Sequence, residues 1–118
     1  MTYMEQFATG QIRQAYEEMR PDFREKLFAG GLEQAEALAR QVSNLIYPGT
    51  DCFAEHYRTC FEFYITYGFA RLMGCSEERA AAQCKSKYGV LPPVIFTAVV
   101  ALCRDCLYQS FPTMAELP

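Results

Sequence analysis

The chain has 118 residues, enough for one domain that buries about two thirds of its unfolded surface. Just over half the residues are apolar and about a fifth are charged, which excludes a disordered chain. The formal charge is −3 and no basic stripe runs through the sequence, so binding driven by nucleic-acid phosphates is not expected.

Residues 3–20 form the first helical region, with Ile12, Ala15, Tyr16 and Met19 at helical spacing. Gly10 weakens it and is a point where it could split. Pro21 can open a short second helix carrying Asp22, Phe23, Leu27 and Phe28, because proline is tolerated in a first turn.

Residues 32–47 carry the cleanest amphipathic pattern. Ala35, Leu38, Val42 and Leu45 recur at spacings of three and four, with Leu32, Ala39 and Ile46 beside them. Glu33, Glu36, Arg40, Gln41 and Asn44 hold the other side, and Glu36 with Arg40 is a favourable i,i+4 pair. Pro48-Gly49 stops this helix, and Thr50 or Asp51 is the expected cap of the next.

That next helix spans about 52 to 73. Phe53, Tyr57, Cys60, Phe61, Tyr64, Tyr67 and Gly68 fall on its core face, flanked by Cys52, His56 and Phe63. Glu55, Arg58, Thr59, Glu62 and Thr66 fall on its polar face. Phe69 and Met73 fall on that polar face too, where exposed apolar side chains suit an interface.

Ser76 is placed to cap a helix running to about Lys87, with Glu77 and Glu78 in its favourable first turn and Gly89 at its end. Pro92 and Pro93 open the last helix, to about Ser110. The first half of that helix, "PVIFTAVVAL", is apolar nearly all round and is expected to be its most enclosed part. The apolar run 94–103 is about half the length of a membrane span, so no membrane partner is expected.

The stretch "DCFAEHYRTC" (51–60) contains the only histidine, His56, between Cys52 and Cys60. On a helix Cys52 and Cys60 lie about 12 Å apart along the axis. At most one of them can therefore join His56 on a single ion. A four-ligand site would need Cys103 and Cys106 of "CRDC" from the last helix. Burial of these residues as ordinary core is the simpler reading, so no metal and no cofactor is assigned.

A Cys60–His56 nucleophile is disfavoured because Cys60 sits mid-helix on the apolar face, without the electropositive setting a reactive thiol needs. Redox chemistry at Cys103 and Cys106 would require a helix start after a strand. Residues 84–99 resemble a helix-turn-helix only superficially, since "PPVIFTAVVAL" offers no basic or amide side chain to a base edge. No phosphate loop, E-x-x-H motif or nucleophile elbow occurs, and no catalytic residue is assigned.

The sequence therefore predicts a single all-α domain over 1–118, a compact bundle of four to five main helices centred on 52–73 and 93–110. The chain carries no export signal, so a cytoplasmic setting with reduced thiols is expected. The leading functional expectation is a non-enzymatic protein-binding module acting by surface occlusion. One form is a phage or mobile-element inhibitor of a host nucleic-acid-processing complex, of the anti-CRISPR kind. Its candidate contacts are Glu17, Glu18, Glu33, Glu36, Glu55, Glu62, Phe69 and Met73. The expected partner is a protein, with no direct nucleic acid, and a homodimer is compatible with the pattern. The alternative is a metal- or thiol-dependent cytosolic regulator built on the Cys/His cluster.

Overall fold

The computed structural model describes the backbone of residues 3–48, 54–88 and 90–112, and within these the side chains of all but 4, 5, 54–56 and 88. Six helices follow one another in these residues: α1 (Tyr3–Glu18), α2 (Pro21–Leu27), α3 (Gly31–Ile46), α4 (Ala54–Leu72), α5 (Glu77–Tyr88) and α6 (Pro93–Ser110). The fold is all-α, as expected, with six helices rather than four to five. The additional helix is short α2, which the proline at its first position starts. Gly10 does not split α1, which runs through it as one helix.

α4 is the hub. It packs against α1, α3, α5 and α6, while α3 also meets α1 and α6, and α2 rests on α6. The expected core face of α4 is buried: Tyr57, Cys60, Phe61, Tyr64, Tyr67 and Gly68, with Phe63 beside them. Phe28 stacks on Phe61 with ring centres 5.6 Å apart, tilts against Tyr64 at 5.0 Å and meets Tyr16 at 5.9 Å. Offset and tilted ring pairs of this kind add to the burial of their surface. Gly68 allows the closest approach, because a Cβ there would lie 2.6 Å from a methyl carbon of Leu27.

Local chemistry ends and starts the helices. At the end of α4 the Cys75 N–H bonds the Ala70 carbonyl and the Gly74 N–H bonds the Arg71 carbonyl, both at 3.0 Å. This crossed pair is a Schellman closure, and Gly74 supplies the positive φ of +97° that it requires. One residue later the Ser76 hydroxyl accepts the Arg79 N–H at 3.2 Å, so Ser76 caps α5 as expected. The short connection folds α5 back along α4, and the Cys84 thiol reaches the Phe63 carbonyl.

Three expectations fail. The more enclosed half of α6 is its second half, where Cys103, Cys106 and Leu107 are buried; in the first half Val99 alone is buried, and Val94 in the first turn is 82% exposed. Apolar composition all round did not make the first turns central, because α6 enters the bundle from its rim. Leu45 of α3 is exposed rather than core. Glu36 and Arg40 do not pair. The Arg40 guanidinium bonds the Thr9 hydroxyl at 3.3 Å and covers the Tyr57 ring at 5.6 Å, tying α3 to α1 and α4. The proposed caps Thr50 and Asp51, together with Cys52, Phe53 and Gly89, lie outside the described residues, as do the side chains of Glu55 and His56.

Candidate partner-binding face

Because α4 is surrounded, its described side chains meet solvent along one line: Arg58 and Thr59, Glu62, Ile65 and Thr66, Phe69, then Leu72 and, just past the helix end, Met73. The line begins polar. Arg58 bonds Glu62 at 3.1 Å, an exposed i,i+4 pair of the kind worth about 0.3–0.5 kcal/mol. It ends apolar, with Phe69 45% exposed and Met73 67% exposed. Phe69 is held from one side by Phe23 of α2, with ring centres 5.5 Å apart and planes 29° from parallel. Arg20 in turn lies over the Phe23 ring. On the other side α5 forms the wall of a groove of about 440 Å³ lined by Ile65, Thr66, Phe69, Gln83, Ser86 and Lys87.

Other expected contact residues are more dispersed. Glu17 and Glu18 are exposed at the end of α1, where Gln14 donates to Glu18 and Arg24 donates to the Glu17 carbonyl. Glu33 is exposed in the first turn of α3 and Glu36 is half-buried. The acids thus lie on α1, α3 and α4.

The thiols converge in the core. Cys60 of α4, Cys84 of α5 and Cys103 and Cys106 of α6 are all buried. Burial pushes the Cys84 thiol up to about 12 and holds Cys103 well above the usual thiol range. Neighbouring Cys84, Cys106 and Cys60 raise Cys103 further. Cys106 is raised by burial too, partly offset by the neighbouring Tyr64 hydroxyl and by Gln34, whose amide donates to its sulfur at 3.4 Å. Such thiols stay protonated and poorly nucleophilic at neutral pH. No group of three or more His, Cys, Asp or Glu among the described residues could hold a metal ion. No helix among them is long and apolar enough to cross a membrane.

No family model, curated protein or solved structure matches the chain.

Sequence reasoning missed one polar cluster. Arg71 of α4 is only 5% exposed, donating to the Cys75 carbonyl and to the Tyr108 hydroxyl, both at 3.3 Å. Tyr108 donates to Glu77. These contacts fasten the α4–α5 turn to α6. The signal was present: Arg71 continues the core stripe of Cys60, Tyr64 and Tyr67 at helical spacing, and a charge on such a stripe requires partners.

Proposed function

We propose that this chain is a non-enzymatic protein-binding module that acts by covering a partner's surface, with the Phe69–Met73 end of α4 as its contact. One observation carries the reading: among the described residues, the solvent-facing line of the central helix ends in a phenylalanine and a methionine. Exposed aromatic and methionine side chains held in place by neighbours are enriched at the centres of interfaces. Phe69 is held in this way by Phe23, so little rotamer freedom remains to be lost on binding.

The narrower form is an inhibitor of a host nucleic-acid-processing complex, of the anti-CRISPR kind. There, Glu17, Glu18, Glu33, Glu36, Glu55 and Glu62 would meet a basic channel. The apolar end of α4 supports the broader reading more directly than the acids support this one, because Glu62 already pairs with Arg58.

Affinity capture from the native host tests the module. The wild-type chain and the Phe69→Asp and Met73→Asp variants serve as bait, with circular dichroism and melting to show that the variants fold. A protein retained by wild type and lost with Phe69→Asp is the expected result. Capture unaffected by both variants would remove this face from the interface.

A further inference from the structure

The groove beside Phe69 has a mainly apolar floor and a polar wall that carries one cation, Lys87. Ile65 and Phe69 of α4 face Gln83, Ser86 and Lys87 of α5 across it. Arg79 precedes Gln83 by four residues and shares the same face of α5, so it extends this wall towards the α4–α5 turn. Arg79 and Lys87 are both exposed. The ion pairs among the described residues are Arg20–Asp22, Arg58–Glu62 and Arg104–Asp105, so neither cation of the wall is engaged in one. From 79 to 87 α5 carries Arg79, Lys85 and Lys87 and no acid. Glu77 and Glu78 precede them in the first turn of α5, so the positive charge is confined to the rest of the helix.

We propose that the groove receives an acidic amphipathic helix of the partner protein, its apolar side chains on Phe69 and Ile65 and its carboxylates towards Arg79 and Lys87. This rests on the reading of the Phe69–Met73 face as a protein contact. Arg79 and Lys87 are eight residues apart, about 12 Å along α5. Carboxylates about seven or eight residues apart on a helix laid beside α5 match that separation, with apolar residues between them facing the floor. An extended peptide has no sheet edge to join, since the elements among the described residues are all helices. A nucleic acid would find few phosphate partners here, since Lys87 is the one cation among the lining residues.

The test uses two designed helical peptides, each labelled with fluorescein. One carries leucines on one stripe, with two glutamates about seven residues apart flanking them. The other has those glutamates replaced by lysine. Binding is followed by anisotropy and mapped on the ¹⁵N-labelled full chain. The glutamate peptide is expected to bind saturably, shifting the amides of Ile65, Thr66, Phe69, Gln83 and Ser86. The lysine peptide should bind about fivefold more weakly, the scale set by two exposed charge pairs. Arg79→Glu with Lys87→Glu should reverse the preference, and Arg79→Gln with Lys87→Gln should abolish it if the reversed variant does not fold. Equal binding of both peptides, shifts elsewhere, or no binding of either would overturn the acidic-helix assignment. A captured partner still lost with Phe69→Asp would then leave the broader protein-binding reading standing, so the two failures are distinct.

Discussion

The Tyr64 hydroxyl donates to the carbonyl of Leu27, the last residue of α2, and so joins the central helix to the shortest one. The same carbonyl accepts the Ser110 hydroxyl at 3.1 Å, and Ser110 also accepts the Ala29 N–H at 3.0 Å. A helix end leaves carbonyls without intrahelical partners, and here two distant helices satisfy one of them. Three residues further along α4, Tyr67 is equally buried, yet its hydroxyl has no hydrogen-bond partner among the described residues.

One substitution therefore has opposite consequences at two positions. Tyr64→Phe is expected to cost about 1 kcal/mol, the net worth of an ordinary hydrogen bond, because Ser110 still serves the carbonyl. With Ser110→Ala added, the carbonyl loses both partners, and the pair should cost more than its parts by about 1 kcal/mol. Tyr67→Phe removes a buried, unsatisfied hydroxyl and is expected to be neutral or stabilising. Urea unfolding of Tyr64→Phe, Ser110→Ala, their double variant and Tyr67→Phe decides this, and a larger loss from Tyr67→Phe than from Tyr64→Phe would show the assignment to be wrong.

Alkaline pH is expected to unfold the chain. Burial raises the Cys84 thiol from 9.0 to about 12 and lifts Cys103, Cys106, Tyr64 and Tyr67 in the same direction. In every case the fold holds the proton more tightly than the unfolded chain does. Stability is therefore complete below the ordinary thiol and phenol values and falls as pH rises through them. Each such group removes about 1.4 kcal/mol per pH unit between its unfolded and folded values. Against a total of about 5–15 kcal/mol, several together should bring unfolding near about pH 11. Urea midpoints should stay level to about pH 8.5 and then decline, with a shallower decline in Cys84→Ala. A level midpoint across the thiol range would contradict the burial of these groups.

Much of the fold was legible because local signals agreed with one another. The α3 periodicity, the Ser76 cap and the aromatic face of α4 each depend on residues within a turn or two. What was not legible depends on distance. The first turn of α6 and Leu45 are apolar yet exposed, because composition says nothing about where a helix meets the rim of a bundle. Arg40 abandons its neighbour Glu36 for Thr9 and Tyr57, groups far off in sequence. The exposed apolar side chains of the candidate face were legible in part: Phe69 and Met73 stand out on a polar stripe. Phe23 and the α5 wall that frame Phe69 become its neighbours only through tertiary packing.

Thiol labelling separates the protein-binding reading from a thiol- or metal-dependent regulator. Cys60, Cys84, Cys103 and Cys106 are buried, while Cys75, accepting from Gln83 beside the α4–α5 turn, is half-buried. A thiol reagent needs both access and thiolate; burial denies access to all four core thiols and also raises Cys84, Cys103 and Cys106. In a Cys52→Ser background, Cys75 should react first with a coloured disulfide reagent. The other four should react only as urea unfolds the chain. Equimolar zinc should neither slow the reaction nor raise the melting temperature, since the described thiols do not form a metal-holding group. Rapid labelling of Cys60 or Cys106 in the folded chain, or protection by zinc, would turn the assignment towards the regulator.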